Sequence, residues 1–239
     1  MSLLKDIWYV TVLGRKSQWL GNPFAITAKL FLLGLCIQFC FSVVQTVLIH
    51  LELVPHVLHP TLSSIVKFRE EPSIIAIIFV ATVFTHPLIE ELSFRMCLSK
   101  KSRSISFGLG FLVSFFIVLF FDLGWGNDLM MREISFLCAF FSISIILGLV
   151  IDTFFKKWVS IFLRKSVFSL MILCSAVLFA IAHFEVSGVN SLLSAFNVLP
   201  YFFSAYIFSY LKLIAGFKFS FCLHSLINSF FFLATYIFG

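Results

Sequence analysis

The chain has 239 residues, of which 61% are hydrophobic and 12% charged, whereas soluble domains carry roughly 25% charged residues. This composition, with 34 phenylalanines, excludes a soluble globular protein and indicates a polytopic protein embedded in a lipid bilayer. The net charge of +6 is interpreted as loop charge that sets membrane topology, not as a nucleic-acid-binding surface.

The N-terminal 21 residues do not resemble a signal peptide. Their apolar stretch, Ile7 to Leu13, is short and is followed by Gly14 and two basic residues instead of a small-residue cleavage site. We expect an interfacial helix here, with Trp8, Tyr9 and Trp19 at the level of the lipid headgroups.

Seven apolar runs follow as candidates for membrane-spanning helices, each of which needs about 20 residues. They cover residues 24–53, 73–99, 104–121, 134–155, 166–184, 191–211 and 219–238. No repeat or polar domain interrupts them. The predicted fold class is therefore all-α, with residues 1–239 forming a single domain that is a transmembrane helical bundle of about seven spans.

The distribution of Lys and Arg predicts the orientation of this bundle. With the N-terminus in the cytoplasm, thirteen basic residues fall on inner segments and helix ends, and only Lys67, Arg69 and Arg132 fall on outer loops. The positive-inside rule therefore predicts an N-in/C-out topology.

The six cysteines all lie within apolar runs and form no CxxC pair: Cys36, Cys40, Cys97, Cys138, Cys174 and Cys222. Buried cysteines usually act as small hydrophobic residues. We therefore expect neither a disulfide framework nor a thiolate metal site.

The second apolar run contains ionisable side chains, which are costly in a membrane and normally mark function. Residues four apart share a helix face, so Glu91 is expected to pair with Arg95, which lowers the cost of burying both charges. The neighbouring Glu90 points elsewhere and is suited to act as a general base. The alternative interpretation is a helix end with snorkelling charges.

Pro87 lies three residues before Glu90 and has no backbone N–H to donate to the carbonyl of Val83. We expect a local kink here that makes room for water beside Glu90.

Two later runs also contain polar side chains. His183 lies at the end of the fifth run, one helical turn after Phe179. The alternative interpretation is that this histidine is an interfacial residue, as is common near a helix end. In the last run, His224 and Asn228 share a helix face and can direct their N–H groups toward a single point. The alternative for these two residues is a hydrogen bond that packs neighbouring spans.

In this order, Glu-Glu-x-x-x-Arg, Phe-x-x-x-His and His-x-x-x-Asn resemble the motifs of the CAAX prenyl protease and bacteriocin-processing family, also called CPBP or Abi intramembrane proteases. Residues 87–95 and 174–183 also look like that family's first and second motifs. The resemblance covers roughly residues 73–238, and it makes residues 104–155 a two-helix insertion. Where the family usually has Gly after the Arg, this chain has Met96.

The resemblance implies an intramembrane endopeptidase in which Glu90 activates the attacking water and His183 helps to orient it. His224 and Asn228 would stabilise the tetrahedral oxyanion. The implied substrate is a membrane-associated peptide or protein, and the implied location is the bacterial cytoplasmic membrane.

Metal dependence is left open by the resemblance, because the family has been described both as metal-dependent and as glutamate-type. The absence of a His-Glu-x-x-His signature favours water activation without a metal or other cofactor. If a divalent metal such as zinc takes part, Glu90, His183 and His224 are the expected ligands. In either case, Glu91 and Arg95 would form a structural ion pair.

Two other functions compete with a protease. The first is a catalytically idle immunity or scaffold protein on the same fold, against which the intact motif residues argue. The second is a proton-coupled transporter with a Glu and His relay, which predicts an inverted repeat. No such repeat is visible between the two halves of the sequence.

Overall fold

The computed structural model describes residues 3–11, 22–51, 60–99, 101–121, 129–161, 165–183 and 198–238. These residues form helices and no strands, which confirms the predicted all-α class. The helices are α1 (Leu3–Thr11), α2 (Pro23–His50), α3 (Pro60–Lys67), α4 (Pro72–Val80), α5 (His86–Arg95), α6 (Ser102–Phe121), α7 (Leu129–Phe154), α8 (Lys156–Ile161), α9 (Lys165–Ala182), α10 (Leu199–Ala215) and α11 (Phe217–Phe238). A π-helical turn, Ala81–Thr85, joins α4 to α5.

Four helical stretches are long and apolar enough to cross a membrane: Pro23–His50, Pro72–Arg95, Leu129–Phe154 and Phe217–Phe238. Three further apolar segments are shorter: Ser102–Val118, Ser169–Ala182 and Leu199–Ala215. The last of these overlaps the run predicted at 191–211, of which residues 191–197 lie outside the described residues. Many large apolar side chains on the described helices are exposed, as a lipid-facing surface requires.

The N-terminal segment contains a helix where one was expected, since α1 covers Leu3–Thr11 with Trp8 exposed and Asp6 buried. The Tyr210 hydroxyl of α10 donates a hydrogen bond to Asp6 at 2.6 Å. The helix is therefore anchored to the bundle by a buried polar contact, which the expectation of an interfacial helix did not include. Trp19 lies outside the described residues.

Two short helices, α3 and α8, are additional to the predicted spans. The segment predicted as a two-helix insertion, 104–155, corresponds to α6 and α7, which pack along each other. A Cβ atom on Gly110 would lie 2.6 Å from the backbone nitrogen of Gly148, so the absence of a side chain lets the two helices approach closely.

A glycine on α6 also meets the chain just after α5. A Cβ atom on Gly108 would collide with the backbone nitrogen of Cys97 and lie 2.7 Å from the carbonyl carbon of Met96. The close approach of α6 to the chain at Met96 therefore depends on the absence of a side chain at Gly108.

The helix α5 packs against α6, α9, α10 and α11. Phenylalanines fill the space between them: the ring of Phe179 on α9 meets those of Phe94 on α5 and Phe208 on α10, with centroids 5.4 and 6.4 Å apart. Gly216, with φ of +100°, is the single residue between α10 and α11. The packing of α9 and α11 on α5 brings the second and third sequence motifs next to the first, which lies on α5.

Candidate active site

Three helices that meet in the bundle carry the polar side chains of the three motifs. Glu90 and Glu91 lie on α5, His183 directly follows α9, and His224 and Asn228 lie on α11. Because these helices are distant in sequence, only the tertiary packing decides which side chains come into contact.

The Glu90 carboxylate lies between two imidazoles. Its Oε1 atom is 3.7 Å from His183 Nε2, and its Oε2 atom is 3.4 Å from His224 Nε2. The side chains of Glu90 and His183 are 14% and 16% exposed and that of His224 is 5% exposed. Glu90 is therefore mostly enclosed but still reachable, and both imidazoles present the same ring nitrogen to it.

The orientation of His183 is set by its own helix. Its Nδ1 atom lies 2.8 Å from the carbonyl oxygen of Phe179. A carbonyl oxygen only accepts hydrogen bonds, so Nδ1 carries the proton. In the neutral ring Nε2 then carries no proton and can only accept a hydrogen bond. Nε2 and the Glu90 carboxylate can therefore be joined by a hydrogen bond only if a group such as water lies between them or if His183 or Glu90 is protonated.

His224 contacts both glutamates. Its Nε2 atom faces Glu90, and its Nδ1 atom lies 3.3 Å from Glu91 Oε1. Each ring nitrogen therefore faces a carboxylate oxygen, and the contact of Nδ1 with Glu91 has the geometry of a hydrogen bond. The sequence predicted only a structural ion pair with Arg95 for Glu91, but Glu91 also touches one of the site's imidazoles.

Glu91 is fully buried and connects three other side chains. Its Oε1 atom lies 3.5 Å from Arg95 Nε, and its Oε2 atom accepts a 2.5 Å hydrogen bond from the Ser220 hydroxyl. The Ser220 oxygen is also 3.0 Å from the Phe208 carbonyl oxygen. The expected pairing of Glu91 with Arg95 is present, and Glu91 in addition fixes the position of His224.

Arg95 is surrounded by aromatic rings. The carbon at the centre of its guanidinium lies 4.3 Å from the ring centroid of Phe179, 5.5 Å from that of Phe208 and 5.8 Å from that of Phe94. Its three guanidinium nitrogens form no hydrogen bond with the described residues. The cation is therefore held by Glu91 and by the faces of aromatic rings, which attract positive charge.

Aromatic rings also hold the two imidazoles in place. The Tyr201 ring stacks on His183 with centroids 4.4 Å apart and an interplanar angle of 20°, and Phe208 stacks on His224 at 4.4 Å and 19°. Both stacking residues lie on α10. This helix contains none of the sequence motifs, yet it restricts the rotation of both histidines.

Asn228 makes a contact away from the glutamates. Its amide Nδ2 donates a 2.9 Å hydrogen bond to the carbonyl oxygen of Thr82, in the π-helical turn. The His86 amide donates to the Ala81 carbonyl, five residues back, so the Thr82 carbonyl would need the N–H that Pro87 lacks.

The freed carbonyl was expected at Val83, on the assumption of a regular α-helix. In the five-residue pattern of the π-helical turn, the Thr82 carbonyl lacks the N–H of Pro87, and the Asn228 side chain replaces this missing donor. Because an amide carries two N–H groups, this hydrogen bond leaves one of them for another partner.

The charges of the site do not balance when both imidazoles are neutral. Glu90 and Glu91 contribute two negative charges and Arg95 one positive charge, which leaves one buried negative charge. A carboxylate with two imidazoles is chemically a donor set that zinc accepts. However, no group of three or more His, Cys, Asp or Glu side chains within the described ranges is arranged to hold a metal ion.

Several site residues were missed by the sequence-based prediction: Ser220, Thr82, Tyr201 and Phe208. Ser220 could have been found, because Ser220, His224 and Asn228 are spaced four residues apart and form one polar stripe on α11. The backbone contribution of Thr82 and the two stacking rings leave no such signal in the sequence.

No family model, curated protein or solved structure matches this chain. The similarity of its motifs to those of the CPBP family rests on the motif residues and their order alone.

Proposed function

We propose that this chain is an intramembrane endopeptidase of the CPBP type that hydrolyses a membrane-associated peptide or protein. It would span the bacterial cytoplasmic membrane seven times with its N-terminus inside and its C-terminus outside. The four long apolar helices and three shorter ones supply enough apolar segments for this topology.

The observation that carries the proposal is the position of Glu90. Its carboxylate is mostly enclosed and faces two imidazoles from two other helical segments, at 3.7 and 3.4 Å. Such a group matches the requirement for a general base, which must hold one water while other groups orient it.

In the proposed reaction, a water molecule is held between Glu90 and His183. Its oxygen attacks the carbonyl carbon of the scissile peptide bond while Glu90 accepts one of its protons. The C–N bond then breaks, and the proton held by Glu90 passes to the leaving amine. The net change is the addition of one water, and no covalent enzyme intermediate is formed.

The developing oxyanion would be stabilised by the N–H groups of His224 and Asn228. The contact of Glu91 with His224 supports this role, because it gives the ring a fixed orientation. For Asn228, the hydrogen bond to Thr82 holds the amide in place, and its second N–H is the one that would serve the oxyanion.

A metal-dependent variant of the same reaction would use Glu90, His183 and His224 as ligands. Zinc bound there would supply Lewis acidity and lower the pKa of a water molecule. The roles of Glu91, Arg95 and the stacking rings would be unchanged.

Substrate trapping tests the proposed activity. Native protein and the Glu90→Gln variant are purified from the same membranes, and the captured peptides are identified by mass spectrometry. The variant should retain intact substrates that the native protein has cleaved. If both proteins capture the same uncleaved molecules, the chain acts as a scaffold or immunity protein and not as a protease.

The topology is tested separately by fusing a reporter to the C-terminus. Alkaline phosphatase folds only outside the cytoplasmic membrane, where its disulfides form. An active phosphatase fusion and a non-fluorescent cytoplasmic reporter at the same position are expected for an N-in/C-out chain with an odd number of spans.

A further inference from the structure

A second pair of ionisable side chains lies outside the site described above. His86 Nε2 on α5 is 3.5 Å from Glu133 Oε2 on α7. Their side chains are 40% and 26% exposed, although both lie within helical stretches that are apolar and long enough to cross a membrane. Neither residue belongs to the motifs that resemble the CPBP family.

The exposure of this pair is difficult to reconcile with a surface that faces lipid. Ionisable side chains within membrane spans almost always face the bundle interior or a water-filled cavity. The helices α5 and α7 both pack on α6, and the His86–Glu133 contact connects them directly. The surface around this pair is therefore expected to face water.

This pair lies next to the site. His86 and Glu90 are four residues apart in the regular α-helix α5, so they share one helix face. On the other side, Glu133 is the fifth residue of α7, about 6 Å along the axis from the start of that helix. Glu133, His86 and Glu90 therefore follow one another from the end of α7 along one face of α5.

Oxygen atoms without a hydrogen bond in the π-helical turn, on α5 and on α7 point in the same direction. Thr82 Oγ1, Glu90 Oε2 and Glu133 Oε2 are buried, and they form no hydrogen bond with the described residues. Two of them lie near an imidazole nitrogen: Glu90 Oε2 is 3.4 Å from His224 Nε2, and Glu133 Oε2 is 3.5 Å from His86 Nε2. Buried polar atoms are normally hydrogen-bonded, either to protein or to ordered water. These three atoms can accept hydrogen bonds from water molecules that enter the bundle.

We propose that His86 and Glu133 line a water-filled entrance between α5 and α7 that leads to Glu90. The ligand of this entrance is water, which a hydrolase in a bilayer must draw from outside the hydrocarbon region. The use of this water in peptide hydrolysis rests on the proposed function, but the existence of the entrance does not.

Cysteine accessibility tests the entrance without any activity assay. The six native cysteines are replaced by serine or alanine, and single cysteines are introduced as His86→Cys and Glu133→Cys. The matched controls are Phe84→Cys and Ile134→Cys, since these neighbouring side chains are 48% and 44% exposed but apolar. All four proteins are treated in proteoliposomes with a charged, membrane-impermeant methanethiosulfonate, and labelling is measured by intact-protein mass.

A thiol reacts as the thiolate, which forms in water and not in hydrocarbon. Cysteines at positions 86 and 133 should therefore be labelled at least about ten-fold faster than those at positions 84 and 134. Equal labelling rates at positions 86 and 84 would overturn the proposal.

A second measurement uses the native chain and so does not depend on the folding of the cysteine variants. A water-soluble carbodiimide with an amine nucleophile modifies carboxyl groups that water can reach. Exposed Glu70 should be modified, buried Glu91 should not, and Glu133 should be modified together with Glu70. Modification of Glu70 without Glu133 would overturn the proposal.

The two proposals can fail separately. If position 86 is labelled rapidly but Glu90→Gln traps no substrate, the entrance is real and the peptidase assignment is wrong. If substrate is trapped but position 86 is not labelled, the enzyme takes its water by another route.

Discussion

Glu91 Oε1 lies 3.3 Å from His224 Nδ1 and 3.5 Å from Arg95 Nε. One carboxylate oxygen thus contacts both the buried cation and the imidazole that faces Glu90. Because the other oxygen accepts a hydrogen bond from Ser220, Glu91 can hardly move without displacing the site. The stability of the protein and the geometry of the site are therefore both expected to depend on Glu91.

The first prediction is that Glu91→Gln destabilises the protein. Removing one partner of a buried ion pair leaves an uncompensated charge and typically costs about 3 to 5 kcal/mol. We expect a lower folded yield and a lower melting temperature in detergent, and also reduced turnover, because His224 loses the group that orients it.

The matched control is Glu70→Gln, which makes the same chemical change at an exposed position. Its effect should remain within about 0.5 kcal/mol. If Glu91→Gln kept the full folded yield and native melting temperature but abolished turnover, the roles assigned to Glu90 and Glu91 would have to be exchanged.

Contacts within one helix could be predicted from the sequence. The four-residue spacing of Glu91 and Arg95 predicted their ion pair, and the spacing of Phe179 and His183 placed them on one face, where a ring nitrogen now meets a backbone carbonyl. Such predictions succeed because helix geometry alone determines which residues are neighbours.

Contacts between helices were less predictable. The stripe formed by Ser220 and His224 indicates a polar face but not what lies opposite it, so the hydrogen bond from Ser220 to Glu91 could not be derived. The same holds for His86 and Glu133, which are 47 residues apart in sequence numbering. Their contact depends on how α5 and α7 are placed around α6.

The π-helical turn shows a different limit of prediction from the sequence. The sequence of an apolar run such as residues 73–99 does not show whether a backbone N–H bonds to the carbonyl four or five residues earlier. Nearly every side chain in the run is compatible with both patterns. The freed carbonyl was therefore assigned to Val83, whereas the carbonyl to which Asn228 donates is that of Thr82, one residue earlier.

The second prediction concerns His183→Asn. The asparagine amide can replace Nδ1–H as a donor to the Phe179 carbonyl, but it has no group at the position of Nε2, which faces Glu90. We expect the melting temperature to stay near the native value while turnover falls by about 10²- to 10⁴-fold, the usual scale for general acid–base groups.

The control for this variant is His50→Asn, at the exposed end of α2. It should leave both turnover and melting unchanged. Native turnover in His183→Asn would show that His183 takes no part in orienting water.

The third prediction tests the packing of α6 on α7. A Cβ atom on Gly110 would lie 2.6 Å from the Gly148 backbone, which cannot move independently of its helix. Gly110→Ala should therefore lower stability by about 1 to 3 kcal/mol, as overpacking usually does.

Gly34→Ala is the matched control, because its Cβ atom would meet only the end of the Ile227 side chain, at 3.0 Å. That side chain can rotate away, and alanine favours a helix by up to about 1 kcal/mol over glycine. Melting of both variants in one detergent measures the difference. Equal loss of stability in the two would contradict the close approach of α6 and α7.

The last prediction separates two roles of Asn228. If its second N–H serves the oxyanion, Asn228→Ala should lower kcat by about 10²- to 10³-fold with little change in KM. The same substitution removes the donor to the Thr82 carbonyl and should cost about 1 to 3 kcal/mol of stability. Asn228→Asp should be at least as harmful, because a carboxylate cannot donate to that carbonyl and repels the oxyanion.

The Pro87→Ala background separates the effect of Asn228→Ala on stability from its effect on kcat. It restores a backbone N–H five residues after Thr82, so the carbonyl gains a donor within its own helix. In this background, Asn228→Ala should cost less stability than in the native chain, while the loss in kcat should persist. Turnover and melting are measured on the same preparation. A kcat that Asn228→Ala leaves intact in both backgrounds would remove Asn228 from the site and leave it as a bridge between α11 and the π-helical turn.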